Sequence, residues 1–525
     1  MLNVNHLNRP KTYLLIANVL LVFFLILLGN FKVVPLDTGD FVFFALLVFM
    51  LAIYRSGWAF LIFVGLIPLE NINLAPAELE MTIRPYQFLG TFIIAALLVR
   101  FFTKRLNFIP AKLKLPDYLV IVMTLAGFLS VVTAPNKLAS LKLAVIFASF
   151  AFLYFLVRNF IQNTDDLKKI IPFFLSSSAV VIFYGIWQNW AYLHGRNFFE
   201  AMPGRPNGTF TEADWLGMFI VLVISATYCI IQYLSQNIFS NKASQIFNFQ
   251  FSISKFLNYL LLVISFILLI LTVSRSAWLA ALFATLMFLF IFLTDLRFRN
   301  WQWRNTAFSG LKILASLVIA LGAIYIFHLT NFQLGSRATS AGTGLQQITI
   351  ACEKNVNLPE KINDNSELEK YDCQQINLQD IAADKVQGKY VTTIYRNDPN
   401  IATRSVIYQK SWQQIKNNPI LGIGWGNISQ ILGTDARGVP LNSSNIFLET
   451  WLGAGLAGFL ALVILLGYIL FTAVKNYFYT QDDLQKTTSL FIIISWFGLI
   501  IANLFNAGIF LGIFWVWLAI AQVSN

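Results

Sequence analysis

Arg275 is the residue whose position in this sequence most clearly calls for a chemical explanation. It lies between two serines in LTVSRSAWLA (271–280), inside an apolar segment that runs from Phe256 to Leu293. A charged side chain at the centre of a bilayer costs at least ~2.5–3.5 kcal/mol. We therefore expect Arg275 at the tip of a hairpin between two membrane helices, where it either anchors the interface or binds an anion.

A second charged cluster stands in PGRPNGTFTEADWLG (203–217). Proline and glycine indicate a loop here, and an apolar helix follows. The cluster contains Arg205, Glu212 and Asp214, and either Asp214 or Thr211 is suited to capping the helix. The alternative interpretation is a capped turn with an incidental arginine.

The long polar segment 330–443 carries a third candidate, Arg404, near the start of TRSVIYQKSWQQIKNNPILGIGWGN (403–427). Four apolar residues recur there at helical spacing: Val406, Ile407, Trp412 and Ile415. This spacing predicts an amphipathic helix over 402–417 that lies on the membrane interface. Ordinary packing within the loop is the alternative.

The chain re-enters the membrane in NSSNIFLETWLGAGLAGF (442–459), where Glu449 lies about one turn into the apolar run. An acidic group at that depth is a functional candidate by default, although an ion pair with an arginine would also account for it. GAGLAG matches the dinucleotide-binding pattern in its letters, but no strand precedes it. Small residues here favour close helix packing instead.

Membrane helices must position these residues. Of the 525 residues, 57% are hydrophobic and 12% are charged, whereas soluble domains carry ~25% charged residues. Apolar runs of ~20 residues predict an all-α, polytopic transmembrane bundle of about 12–14 spans, the last over 507–523. Three parts follow: an N-terminal bundle (1–329), an extracytoplasmic loop with the amphipathic helix (330–443) and C-terminal helices (444–525).

The distribution of Lys and Arg predicts the orientation. One set of alternate loops holds 19 of them and the other set holds 7, while 11 lie in the long loop, which does not count under the positive-inside rule. Both termini are therefore expected in the cytoplasm and the four motifs outside. This placement explains much of the net charge of +12 without nucleic acid.

The same orientation predicts which cysteines are oxidised. Cys352 and Cys373 fall in the loop assigned to the outside, where oxidation is possible, so we expect a disulfide between them. Cys229 lies within a span and is expected to stay free.

Metal and nucleotide chemistry have no support in the sequence, so we expect no metal and no cofactor. A P-loop, a zinc-ligand spacing and a nucleophile elbow are all missing, and the three histidines, His6, His194 and His328, are scattered. Arginine, by contrast, offers a planar fork that binds diphosphate with two charge-assisted hydrogen bonds. Two outer arginines beside lipid predict a clamp for a lipid-linked diphosphate.

The order of these motifs resembles the O-antigen ligase and polymerase superfamily. RPNGTF, SRSAWLA, R…W…IKNNPILGIGWGN and SSNIFLETWLGAGLAG carry the resemblance over about 200–470, and the architecture carries it elsewhere. The resemblance implies a glycosyltransferase of the bacterial plasma membrane. Its donor would be a glycan on undecaprenyl diphosphate, and its acceptor a lipid, a growing polymer or a protein, as in lipopolysaccharide synthesis.

The resemblance also implies roles for single residues. Arg205, Arg275 and Arg404 would bind the donor phosphates and the charge that develops on the leaving group. We take Arg205, Arg275 and Glu449 as the catalytic candidates. The substrate-binding candidates are Arg404, Ser444, Asn445 and Glu212.

One position departs from the family. A histidine usually opens the motif that reads SNIFLE here, and Ser444 occupies its place. A serine hydroxyl is a poor general base. Three explanations stay open: a carboxylate takes the proton, the arginine clamp supplies most of the catalysis, or activity is lost. The candidate carboxylates are Glu449, Glu212, Asp214 and Asp435.

Other functions remain alternatives at this point. A polymerase that joins repeat units is the alternative within the class, and the missing histidine favours it over a ligase. A polysaccharide transporter or flippase is the rival from another class, although we find no internal repeat of the kind that transporters show. A scaffold in a cell-surface complex would need dispensable outer arginines.

Overall fold

The computed structural model describes residues 12–105, 110–196, 205–240, 245–294, 303–330, 343–376, 381–434 and 440–523. Over these residues the predicted all-α, polytopic fold class is confirmed. The α-helices, numbered in chain order, are α1 Thr12–Asn30, α2 Thr38–Tyr54, α3 Ser56–Leu66, α4 Pro85–Phe102, α5 Leu115–Leu129, α6 Lys137–Phe160, α7 Thr164–Leu193, α8 Ala213–Ser240, α9 Gln245–Leu271, α10 Arg275–Thr294, α11 Trp303–Ile326, α12 Ile381–Val386, α13 Pro399–Asn417, α14 Ile428–Leu432, α15 Ile446–Tyr479, α16 Asp483–Asn503 and α17 Gly512–Ile520.

The apolar helices supply the membrane spans. Within the described part of the chain, nine helices are long and apolar enough to cross a bilayer. Four more apolar stretches are shorter: Thr38–Tyr54, Ser56–Leu66, Lys255–Leu271 and Arg275–Ile291. The predicted span 507–523 is instead a 3₁₀ turn and the nine-residue helix α17, which at 1.5 Å per residue covers less than half of the hydrocarbon thickness.

The last two long helices pack within the same bundle as the earlier ones. α15 packs against α5, and α16 packs against α8 and α10. Large apolar side chains on the outer faces of the helices stay exposed, for example Phe102, Phe183 and Phe290. Such faces suit lipid, which provides no polar partners but solvates hydrocarbon. The division into three parts at 329 and 443 remains a prediction.

The predicted hairpin joins α9 to α10. Val273 adopts a positive φ of 52°, which is rare for a β-branched residue and reverses the chain within three residues. Ser274 then accepts a hydrogen bond from Ala277 N at 3.3 Å and caps α10. Arg275 is therefore the first residue of α10. We call the end of the bundle that carries residues 272–276 the hairpin end.

α15 is kinked where the sequence reads GAGLAG. Gly455 has a φ of 64° and a ψ of −169°, a conformation that is essentially restricted to glycine. The loop after α13 fills the break: Leu456 N donates to Ile420 O at 3.0 Å, and Ile423 N donates to Leu452 O at 2.8 Å. The small residues thus allow a close approach, but the chain that approaches is a loop rather than a helix.

The long loop contains a small sheet that the sequence analysis did not predict. Its strands are β1 Leu345–Cys352, β2 Lys361–Ile362, β3 Cys373–Gln375 and β4 Tyr390–Asn397, in the order β2-β4-β1-β3. β1 pairs antiparallel with β3 and β4, and β2 runs parallel to β4. Ile348, Ile350 and Ile394 form its own small core, and a disulfide joins Cys352 to Cys373. Cys229 in α8 is a buried free thiol.

The predicted helix is present, and its four apolar residues differ in burial. α13 starts at Pro399, three residues before the predicted start. Ile407 and Ile415 are buried, whereas Val406 and Trp412 are about half exposed. The buried stripe instead continues through Ser411, because the helix packs against other protein elements on that side.

We predict that Gly455→Ala destabilises the protein by about 1–3 kcal/mol, the usual cost of a backbone conformation that only glycine adopts freely. A Cβ atom there would also lie 2.1 Å from Ile420 O. Gly467→Ala is the matched control in the same helix, since a Cβ at that position meets nothing within 4 Å. Thermal unfolding in detergent measures both, and equal melting temperatures would contradict the kinked geometry.

Candidate functional site

The Arg205 side chain connects the RPNGTF loop to the hairpin. It is buried, and its Nε donates to Thr272 O at 2.9 Å. Its Nη2 lies 3.2 Å from Asp214 Oδ1 in the first turn of α8. The guanidinium of Arg205 is thereby fixed beside Thr272, which lies three residues before Arg275 in the sequence. Both arginines therefore lie at the hairpin end. Whether they share one diphosphate stays a prediction.

Neighbouring elements also hold the rest of the RPNGTF loop in place. Gly208 N donates to Gln188 Oε1 of α7 at 2.8 Å. Thr209 Oγ1 donates to Pro68 O at 2.5 Å, and Thr209 O accepts from Glu70 N at 2.9 Å. The position of Arg205 is therefore determined by contacts with α7, with the loop after α3 and with the hairpin.

Arg275 attaches the long loop to the hairpin. Its Nη1 lies 2.6 Å from Asp398 Oδ2, and the Asp398 side chain is fully buried. Asp398 directly precedes Pro399, the first residue of α13. The sequence analysis missed Asp398, although an acid followed by a proline at a helix start is a recognisable pattern.

The end of α16 gathers three donors. Arg404 Nη2 donates to Phe505 O at 3.2 Å, and its guanidinium lies 5.6 Å from the centre of the Phe505 ring. Asn445 Nδ2 donates to Leu504 O at 3.2 Å, and Tyr408 Oη donates to the same carbonyl at 3.3 Å. Arg404 and Asn445, both predicted to bind substrate, thus lie beside consecutive residues.

Asn506 joins this helix end to the hairpin. Its Nδ2 donates to Ser276 Oγ at 3.0 Å, and Ser276 Oγ lies 3.2 Å from Ser274 Oγ. A continuous set of contacts therefore runs from Asp214 and Arg205 through the hairpin to the end of α16. No sequence motif indicated the residues 504–506, because their contribution is made largely by backbone carbonyl groups.

Glu449 is buried but bonds to a serine rather than to an arginine. Its Oε2 accepts from Ser443 N at 2.7 Å and from Ser443 Oγ at 2.6 Å. Ser444, the next residue, has a positive φ of 50°. Asn445 then caps α15 through its Oδ1, which accepts from Phe447 N at 2.9 Å. The carboxylate therefore fixes the turn that presents Ser444 and Asn445.

The remaining sequence candidates are placed as follows. Glu212 is half-buried directly before α8, and its carbonyl accepts from Leu216 N. His194 is exposed, with its Nδ1 2.8 Å from Trp190 O. His328 follows the end of α11. His6 and Asp435 lie outside the described residues.

A buried ion pair behind the RPNGTF loop was also missed. Glu70 Oε2 lies 2.8 Å from Arg84 Nε and accepts from Tyr86 Oη at 2.9 Å, while Glu70 Oε1 accepts from Gly512 N at 2.7 Å. Burial raises the pKa of the Glu70 carboxyl, and the neighbouring Arg84 charge opposes this shift. The sequence did contain a signal for this pair. Glu70 and Arg84 stand near the two ends of the segment that joins the apolar helices α3 and α4.

The chemistry available at this end is anion binding by guanidinium groups. Arg205 and Arg275 are each paired with a carboxylate. For Arg404, no carboxylate lies within ion-pair distance anywhere in the described ranges. Arginine has five N–H donors, so Arg404 can keep its bond to Phe505 and still bind a phosphate oxygen.

A protein-family model matches part of the chain. Residues 260–463 match the family model described as O-antigen ligase. The matched segment contains the hairpin with Arg275, the sheet, Arg404 and the Ser444 turn, whereas Arg205 precedes it. No curated protein matches the sequence.

Proposed function

We propose that this chain, whose residues 260–463 match the O-antigen ligase family model, is a multi-pass membrane glycosyltransferase that takes a glycan from an undecaprenyl-diphosphate-type donor. The observation that carries the proposal is the gathering of Arg205, Arg275 and Arg404 at one end of the bundle through the hairpin and the end of α16. Three guanidinium groups beside the hydrocarbon suit a lipid diphosphate, which carries its charge next to its apolar chain.

In the proposed reaction, an acceptor hydroxyl attacks the anomeric carbon of the donor glycan. The new bond to the acceptor oxygen forms as the bond from that carbon to the diphosphate oxygen breaks. The diphosphate leaves with the electron pair, and the hydroxyl proton passes to a base or to water. Guanidinium groups fixed beforehand stabilise the charge that develops on the leaving diphosphate.

The three arginines divide this task by their surroundings. We assign Arg404 the first contact with the diphosphate, because no carboxylate competes for it among the described residues. Arg205 and Arg275 are held by Asp214 and Asp398 before substrate binds. They contribute as the charge on the leaving group grows.

The turn at Ser444 is the proposed place for the acceptor. A serine hydroxyl and an amide can orient an acceptor hydroxyl without taking its proton. We assign Glu449 a positioning role, supported by its two hydrogen bonds to Ser443. Glu212 is proposed to line the donor side, since it lies two residues before Asp214.

The proposed location is the bacterial inner membrane, with the N-terminus in the cytoplasm and the hairpin end outside. The expected return of the chain to the cytoplasm after α16 needs a full last span, which the nine-residue α17 does not supply. The distribution of Lys and Arg between loops supports this orientation. The disulfide between Cys352 and Cys373 agrees with it, because disulfides persist in oxidising compartments outside the cytoplasm. A lipid acceptor would make the enzyme a ligase, and a growing glycan would make it a polymerase, by the same chemistry.

We predict that Arg275→Lys lowers transfer turnover at least about tenfold, although the positive charge is retained. Lysine cannot form the two parallel bonds of the guanidinium fork. Transfer by the purified chain is measured with a polyprenyl-diphosphate-linked glycan and a glycan or lipid acceptor.

Arg196→Lys is the control, since Arg196 is exposed and precedes Arg205 by nine residues in the sequence. It should retain wild-type turnover. Wild-type turnover in Arg275→Lys would mean that this arginine is an interface anchor alone, and it would remove Arg275 from the proposal.

We also predict that Ser444→His raises turnover, because it restores a general base where the family has one. The backbone allows the change, since histidine is among the residues that tolerate a positive φ.

Glu449→Gln should keep most of the turnover, because a glutamine oxygen can still accept from Ser443. Loss of transfer in a folded Glu449→Gln protein would show instead that the carboxylate is the base.

A further inference from the structure

A polar cavity lies beside the RPNGTF loop and is not used by the arginine site. Its volume is about 200 Å³. It lies between the end of α1, α7, the loop after α3 and the residues Gly208 and Thr209. Thr209 is four residues from Arg205, and four residues span at most ~14 Å. The cavity is therefore within reach of a short oligosaccharide whose diphosphate is bound at the arginines.

The polar groups in the cavity wall are neutral. Asn30, Asn71 and Asn73 contribute amides, and Tyr184 and Thr209 contribute hydroxyl groups. No Lys, Arg, His, Asp or Glu is among the lining residues. A charged ligand would lose its hydration there without gaining a countercharge, so the wall favours an uncharged, hydroxyl-rich ligand.

Two of these amides have hydrogen-bonding capacity to spare. Asn30 Oδ1 accepts from Tyr184 Oη at 2.8 Å, which leaves its amide N–H groups without a partner among the described residues. Asn71 donates its backbone N–H to Thr209 O at 2.8 Å, and over the same described ranges its side chain has no hydrogen-bond partner. Amide side chains both donate and accept, as sugar hydroxyls require.

The remaining wall and the size fit one sugar ring. Ile26, Val34 and Ile72 give the cavity an apolar side, which suits the C–H face of a pyranose. Cavities for drug-sized ligands measure ~300–1,000 Å³. A volume of about 200 Å³ is therefore suited to a single sugar residue rather than to a larger molecule.

We propose that this cavity is a saccharide subsite that binds one neutral sugar residue of either the donor glycan or the acceptor. The proposal rests on the proposed transferase function. It adds a recognition element that is separate from the phosphate-binding arginines. A glycan held at both places would be fixed in position and direction relative to the reacting carbon.

The first test is binding of free sugars. Methyl glycosides of glucose, galactose, N-acetylglucosamine and rhamnose are added to the full chain in detergent, and saturation-transfer NMR detects contact. Gly29→Leu fills the cavity from α1, where a Cβ meets only Ile72 Cγ1, at 3.9 Å. Gly39→Leu is the control, because Gly39 is exposed at the start of α2 and a Cβ there meets nothing within 4 Å.

We expect at least one glycoside to bind the wild type and the Gly39→Leu variant, and the signal to fall at least fivefold in Gly29→Leu. Asn71→Leu, which removes the amide but keeps the volume, should weaken it as well and covers the case in which Gly29→Leu does not fold. Equal signals in all folded variants, or none in the wild type, would overturn the subsite.

The second test identifies the source of the sugar. Both cavity variants should raise the KM for one substrate about tenfold with a smaller change in kcat. A rise for the donor assigns the cavity to the donor glycan, and a rise for the acceptor assigns it to the acceptor. An unchanged KM for both substrates would overturn the proposal. A cavity-dependent NMR signal in a protein that transfers nothing would support the subsite and contradict the transferase function.

Discussion

The backbone carbonyls at the end of α16 impose the constraint on which the rest of the hairpin end depends. Carbonyls directly beyond a helix end have no partners inside the helix, and a buried carbonyl left without a partner costs ~1–3 kcal/mol. The carbonyls of Leu504 and Phe505, the two residues directly after α16, accept from donors of α13 and of the turn before α15. Arg404 additionally places a positive charge where the helix dipole is negative. Satisfying one helix end thus brings together segments that are a hundred residues apart.

The same contacts would prepare the proposed site for an anion. The side chains of Arg205 and Arg275 are already fixed by their contacts with Thr272, Asp214 and Asp398. Groups fixed in advance cost little reorganisation when charge develops. The carboxylates also offset the repulsion that unpaired arginines would experience at close range. In the proposed reaction, substrate would compete with these carboxylates, which suits a leaving group whose charge grows as the bond breaks.

The sequence predicted the bundle, the hairpin and the placement of Arg205 and Arg275 at the same end of the bundle, because apolar length and charge asymmetry are local properties of a chain. It missed the sheet, whose strands of two to eight residues carry little periodic signal within polar sequence. It also overestimated the length of the last span. An apolar run does not reveal that α17 begins only at Gly512, whose backbone N–H donates to Glu70. The partners of the site were harder still to predict. Asp398 and the carbonyl of Phe505 come from distant segments, and a carbonyl group has no signature in the sequence.

Binding of a lipid diphosphate tests the central claim most directly. Farnesyl diphosphate is titrated into the purified full chain, and native mass spectrometry measures the bound fraction in the wild type, Arg404→Gln and Lys410→Gln. Lys410 is the control, because it is an exposed cation on the same helix. The arginine site predicts that Arg404→Gln binds at least about tenfold more weakly, while Lys410→Gln binds like the wild type. Equal binding by all three proteins would contradict it.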